Sequence, residues 1–261
     1  AREIIMNKEF RCKSNYTLSN KIRNAQSLIL SGAQGVGVTT YKLAGTAARA
    51  SLLQVLSINS TTAGSVSQIT IAGQNLNTSN KDGHVGAFSI KSSNAGAQQR
   101  FIGIAVPSQQ ASTIAVNGTL AAAGDINFGL SLHPLLDSQV PSIEAQAEFF
   151  NYFCGLGSVN IGIGGTAKLS CVTTRSSNLG QLILSSDTIA TSDLSVVSCE
   201  VNGLEMLGGN SDQAVPFEQF SADTGDVLGN LLHARVEANA VISITIVSKA
   251  AAAGDLRGTI F

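Results

Sequence analysis

The chain has no tryptophan, three tyrosines, three histidines, four prolines and four cysteines, and only 13% of its 261 residues are charged. Each shortage excludes something. Long solvated helices are built from Glu and Lys, so an all-α protein lacks its raw material here. A sugar-stacking platform relies on broad aromatic faces, which the missing Trp and scarce Tyr argue against. No segment reaches the ~18 apolar residues of a membrane span. The opening Ala1-Arg-Glu-Ile-Ile-Met-Asn-Lys-Glu-Phe10 has no apolar run long enough for a secretory leader, so export by that route is not expected.

Catalytic signatures are equally sparse. Cys12, Cys154, Cys171 and Cys199 form no C-x-x-C pair and have no His at ligand spacing. They are expected as reduced, mostly buried small hydrophobes. His84, His133 and His233 are expected in a loop, a linker and a strand, each in a structural role, since no pair has metal spacing. There is no Gly-x-Ser-x-Gly elbow. An enzyme is not expected, and no cofactor is implied. Asn-x-Ser/Thr triplets at Asn15, Asn59, Asn77 and Asn117 are chance products of a chain rich in these residues.

Glycine is plentiful, 26 residues, and Ala, Ser, Thr, Val and Ile make up much of the rest. This is β composition with a weakly charged exterior, suited to a protein whose flanks are covered by neighbours. The net charge of −1 is unevenly spread. Residues 1–23 hold Arg2, Lys8, Arg11, Lys13, Lys21 and Arg23 against Glu3 and Glu9, a local charge of +4 that leaves −5 for the remainder. Such an arm can lie against phosphates of a membrane or of nucleic acid.

Gly32-Ala-Gln-Gly-Val-Gly-Val-Thr-Thr40 comes close to a phosphate-binding loop, but Val38 stands where that loop needs lysine. A counterpart recurs as Gly162-Ile-Gly-Gly165, again without the cation and again shortly before Lys-Leu. Both copies are therefore read as glycine-spaced strand. The recurrence is general. Ala121-Ala-Ala-Gly-Asp125 returns 130 residues later as Ala251-Ala-Ala-Gly-Asp255, and Ser65–Gly73 parallels Ser195–Gly203 at the same offset. Phe88 and Gly96 match Phe217 and Gly225 at 129, and Leu56-Ser57 matches Leu184-Ser185 at 128.

Each copy shows short β runs between turn signals. Eight are expected in the first half: Ser27–Leu30, Gly35–Leu43, Leu52–Ile58, Val66–Ala72, Val85–Ile90, Phe101–Pro107, Ser112–Val116 and Ile126–Leu132. In the second they are Phe149–Phe153, Ser158–Ile163, Ala167–Val172, Gln181–Ser185, Leu194–Val201, Val215–Phe220, Leu231–Val236 and Ala240–Val247, with a closing strand from Leu256. Ser142 to Phe153 could equally be a capped helix. The segment 133–141 carries two prolines and reads as a linker, dividing the chain into an arm (1–23), a first unit (24–132) and a second (142–261). The expected fold is all-β: two tandem eight-stranded jelly-roll β-barrels, a double jelly roll.

In this architecture and duplication the chain, over roughly residues 20–261, resembles the double jelly-roll major capsid proteins of the tectivirus, corticovirus and adenovirus lineage. The compact versions from membrane-containing icosahedral bacteriophages, of corticovirus or finnlakevirus type, are the most similar. The resemblance implies a virion shell protein, made in the host cytoplasm, that forms homotrimeric pseudo-hexameric capsomers. Its implied partners are further copies of itself, minor capsid and penton proteins, and an inner viral membrane or genome met through the arm. Asp212, Asp223 and Asp226 lie in one Gly/Ser/Asn-rich region and are weak candidates for a structural Ca²⁺, although their spacing matches no calcium loop. A tandem jelly-roll glycan- or receptor-binding protein is the alternative; it explains the duplication but leaves the basic arm unused.

Overall fold

The computed structural model describes residues 26–33, 40–46, 51–71, 73–88, 101–106, 113–134, 152–207, 214–221 and 231–261. Among them the regular structure is strand, with three short 3-10 turns. The first half holds β1 (Gln26–Ala33), β2 (Thr40–Thr46), β3 (Ser51–Ser60), β4 (Gly64–Ile71), β5 (Gln74–Asn75), β6 (Gly83–His84), β7 (Phe101–Val106), β8 (Thr113–Leu120) and β9 (Asp125–Pro134). The second holds β10 (Cys154–Ile161), β11 (Thr166–Val172), β12 (Ser177–Ser186), β13 (Leu194–Val201), β14 (Leu204–Glu205), β15 (Val215–Pro216), β16 (Leu231–Val236), β17 (Val241–Ser248) and β18 (Gly254–Ile260).

These strands form where apolar residues recur with period two. In β11 Ala167, Leu169 and Cys171 face inward and Thr166, Lys168 and Ser170 outward. Its neighbour β17 buries Ile242, Ile244 and Ile246 completely, β-branched residues that favour the pleated backbone.

Among the described residues every strand pairing is antiparallel apart from isolated bridges, and the strands build four sheets. In the first half the orders are β1-β9-β3-β7 and β2-β8-β4-β5, with β6 also on β4. In the second they are β10-β18-β12-β16 and β11-β17-β13-β14, with β15 also on β13. The second pair repeats the first strand for strand, an arrangement consistent with a jelly roll. None of the four sheets closes on itself, so the expected barrels are open among the described residues. The two sheets of the second half share one core, in which Leu156, Leu184 and Leu256 from one sheet meet Leu169, Val196 and Ile244 from the other.

The duplication extends to irregularities. The ladder slips between Leu53 and Val55 in β3 and between Leu179 and Gln181 in β12, and again between Val66 and Gln68 in β4 and Val196 and Ser198 in β13. The repeated Ala-Ala-Ala-Gly-Asp also acquires a purpose. In each half it turns the chain between the last two strands and is pinned to the turn after the third long strand. Thr61 N–H donates to Asp125 O and Thr62 Oγ1 to Ala122 O; Asp187 N–H donates to Asp255 O and Thr188 Oγ1 to Ala253 O. A Cβ on Gly124 would lie 2.7 Å from Thr61 Oγ1, and one on Gly254 would lie 2.8 Å from Ile189 Cγ1, so both turns require glycine.

Several expected elements differ. Val85–Phe88 and Phe217–Phe220 are 3-10 turns rather than strands, each following a two-residue strand. This shifts the repeat locally. Ser65 pairs with His84 as Ser195 pairs with Pro216, so Phe88 corresponds to Phe220, 132 residues on, and not to Phe217. Likewise the matching slips make Leu56 the counterpart of Leu182 rather than of Leu184, an offset of 126. Gly162–Gly165 is a turn rather than strand, closed by Gly165 N–H on Gly162 O with Gly164 at φ 57°. In the first copy β1 includes Gly32 and Ala33 and β2 starts at Thr40; the residues between lie outside the described ones. The β2 that follows is a strand, where a phosphate loop would start a helix. β9 runs through His133 and Pro134, which pair with Leu52 and Ser51, because the hydrogen-bonded ladder continues past the expected end at Leu132. The expected strand Phe149–Phe153 lies outside the described residues but for its last two, of which Phe153 makes an isolated bridge to Asn77.

Burial also sets an alkaline limit on stability. Tyr41 is 1% exposed and donates its hydroxyl to Ser65 O at 2.9 Å; burial, then the charge of Asp82, holds its pKa well above the ordinary value. Burial, then Glu205 and Glu200, pushes the Cys199 thiol up to about 12. Both groups are neutral when protonated, so the folded state keeps a proton the unfolded chain has lost. Their contribution is complete below the unfolded values, about 8.5 for Cys and about 10 for Tyr, and declines as pH rises from there toward the folded ones. Denaturant midpoints measured from neutral pH upward should fall beyond about pH 9, as the unfolding free energy drops by up to about 1.4 kcal/mol per pH unit for each group. Cys199→Ala should flatten the early part of that decline; an unchanged slope would remove Cys199 as its source.

Candidate functional site: the seam between the two halves

The two halves meet along a strap, residues 76–84, that leaves the β4–β5 hairpin and crosses onto the second half. Its backbone is knitted in. Thr78 N–H donates to Phe153 O (2.8 Å), Phe153 N–H to Leu76 O (3.0 Å), Thr174 N–H to Thr78 O (2.7 Å), Asn80 N–H to Val172 O (3.1 Å) and Gly157 N–H to Asp82 O (2.9 Å). At the far end Thr259 Oγ1 accepts the His84 backbone N–H at 2.9 Å and sits 3.0 Å from His84 Nδ1.

Asn77 organises the strap. Only 6% exposed, its amide donates to Ser67 O (3.0 Å) and Lys81 O (2.8 Å), while its Oδ1 accepts from Ser79 N–H. Every polar atom of this buried side chain has a partner, the condition for a buried amide to stabilise. It stands in an Asn-x-Ser triplet, but its committed amide is not presented to solvent.

Rings close the seam on one side. Phe88 meets Phe153 edge-on at 5.2 Å and Phe261 at 5.1 Å, both from the second half. On another side Arg175 Nη2 donates to Asn75 O at 2.6 Å, and its guanidinium lies 4.5 Å over the Tyr152 ring, whose hydroxyl accepts from Gln74 Nε2.

Two grooves flank the strap, of about 510 and 520 Å³, sharing Gly64 and Arg257. The first is lined by Lys81, Lys168 and Arg257 with Ser65, Asn80 and Asp82. Its charges are largely matched: Arg257 Nη1 lies 2.6 Å from Asp187 Oδ2, Lys168 Nζ 3.9 Å from Glu200 Oε2, and Ser65 Oγ donates to Asp82 Oδ2 at 2.9 Å. Among the described residues no group of three or more His, Cys, Asp or Glu could hold a metal, and no helix is long and apolar enough to cross a membrane.

The structure redistributes the residues singled out from sequence. Arg2, Lys8, Arg11, Lys13, Lys21 and Arg23 of the arm, and Asp212, Asp223 and Asp226, all lie outside the described residues. His84 is in β6 rather than a loop and is buried in the seam; His133 is in β9 rather than a linker, and His233 is in β16, as expected of a strand residue. Cys154, Cys171 and Cys199 are buried free thiols, and the first two, 17 residues apart in sequence, come together at Sγ–Sγ 3.3 Å. Sequence reading missed that pair and the strap. The strap's signal was Asn77-Thr-Ser-Asn80, four hydrogen-bonding residues in succession, which composition disguised as ordinary loop.

No protein-family model matches the chain, and no curated protein matches its sequence. Among solved structures, the crystal structure of the major capsid protein P2 from bacteriophage PM2 aligns over 90% of this chain and 98% of that chain, with 9% identity and a TM-score of 0.37. At that TM-score the likeness is too slight to establish a shared fold.

Proposed function

We propose that the chain is a major capsid protein: a double jelly roll whose first unit ends with β9 and whose second begins with β10, assembled as trimers that tile an icosahedral shell. Its role is structural rather than catalytic. The observation that supports this best is the strand-for-strand repetition of the sheet order, joined by a seam of backbone hydrogen bonds that makes the two halves one building block. Three such blocks supply six similar units to a ring, the geometry of a hexagonal tile. A chain only 13% charged fits flanks that neighbours cover. In this reading the basic arm, with Arg2, Lys8, Arg11, Lys13, Lys21 and Arg23, faces an inner membrane or genome, where each basic residue is worth about 1 kcal/mol near an anionic surface at low salt.

Sedimentation at micromolar concentration should report a stable trimer, and electron microscopy of concentrated material should show hexagonal tiles or closed particles. Replacing the six arm cations with Gln should leave the trimer intact and abolish salt-sensitive co-sedimentation with anionic vesicles or nucleic acid. A well-behaved monomer would overturn the shell reading. Discrete oligomers that retain immobilised glycans would favour the glycan-binding alternative.

A further inference from the structure

Cys154 opens β10 and Cys171 lies near the end of β11, strands of the two facing sheets of the second half. Their side chains point into the space between the sheets, 1% and 2% exposed, with Sγ–Sγ 3.3 Å. The strap lies over them: Ser79 Oγ donates to Gly155 O and Thr78 Oγ1 to Phe153 O, on either side of Cys154. We propose that this pair is an oxidative modification site, a latent disulfide that staples the two sheets beneath the strap when the protein meets a peroxide.

The two sulfurs are not equivalent. The hydrogen bond from Cys171 lowers the Cys154 pKa against the opposing effect of burial. The same interaction, followed by burial, keeps the proton on Cys171. Cys154 is therefore the nucleophile. Its thiolate attacks one peroxide oxygen; an S–O bond forms, the O–O bond breaks, and the departing hydroxide takes the thiol proton as water, leaving a sulfenic acid. The Cys171 sulfur then attacks the Cys154 sulfur. The S–S bond forms, the S–O bond breaks, and hydroxide leaves with the Cys171 proton as a second water. Two thiols lose two electrons and two hydrogens, and one hydrogen peroxide becomes two waters. Closing the sulfurs from 3.3 Å to the bonded distance of about 2.0 Å requires small side-chain rotations on two strands that face each other across the core.

The test uses the full chain with Cys12→Ala and Cys199→Ala, treated with hydrogen peroxide under native conditions and mapped by mass spectrometry. The expected product is a single intramolecular link between the peptides carrying Cys154 and Cys171, two hydrogens lighter and reversed by dithiothreitol. The oxidised form should melt roughly 5–10 °C above the reduced one, as a closed loop of this length implies. Adding Cys171→Ala should abolish both the link and the gain in melting temperature. Stable sulfinic acid without a link, links between molecules, or a link formed only in denaturant would overturn the proposal. The peptide map of the parent decides the matter even if the Cys171 variant does not fold.

Discussion

Valine at position 155 is expected to unseat the strap and cost more stability than any surface change. A Cβ on Gly155 would overlap the backbone of Lys81, Asp82 and Gly83, and backbone held by hydrogen bonds on both sides cannot swing away as a side-chain tip can. The displaced strap takes much with it. Gly157 N–H loses Asp82 O, Gly155 O loses Ser79 Oγ, and the buried Asn77 amide loses its geometry. Orphaned buried polar groups cost about 1–3 kcal/mol each, so a loss of at least about 4 kcal/mol is expected, enough to unfold a marginal domain. Gly162→Ala, where nothing lies within 4 Å of the new Cβ, is the matched control and should change stability by less than about 1 kcal/mol. Chemical denaturation gives the magnitude, and hydrogen exchange locates it: the amides of Thr78, Asn80 and Gly157 should lose protection before those of β17. Equal protection in the Gly155 variant and the parent would mean that the strap does not depend on this close approach.

Phe88→Ala should come second, at about 3–5 kcal/mol, the range for removing a buried aromatic ring. Phe88 is 2% exposed and stands at the end of a 3-10 turn in the first half, yet both of its ring partners, Phe153 and Phe261, belong to the second. The loss should therefore fall on the coupling between halves. Two observations follow in denaturation: a lower midpoint, and a broadened or two-step transition as the halves begin to unfold separately. A double-mutant cycle with Phe153→Ala should give an interaction of about 0.5–1.5 kcal/mol, typical of an edge-on pair. Strict additivity would place Phe88 outside the coupling.

The fold's outline was legible because its causes are local. Alternating sequences such as Thr166–Val172 and Val241–Ser248 can bury one face only as strands, and Ala-Ala-Ala-Gly-Asp recurs because both copies must pass close to a threonine-bearing turn. The 3-10 turns at Val85–Phe88 and Phe217–Phe220 carry strand-like sequence because their apolar residues are buried all the same. Hydrophobicity reports burial without reporting which backbone achieves it. The offset between copies is ambiguous in sequence at Phe88 and Leu56 for a related reason: short apolar matches slide by a few residues, and only ladder pairing settles the register.

Composition and periodicity by themselves determined that this chain is built from strands, that it is written twice, and that its surface carries little charge. These are properties of neighbouring residues and their solvation. Tertiary structure decided the rest. The strap joins Thr78 to Phe153 and His84 to Thr259 through main-chain groups or a single hydroxyl, contacts that leave almost no mark on residue type. Cys154 and Cys171 look like unrelated buried thiols until two sheets face each other and set their sulfurs 3.3 Å apart. Separation along the chain is no measure of separation in a sandwich, where the pairing of sheets, not the spacing of residues, determines which side chains meet.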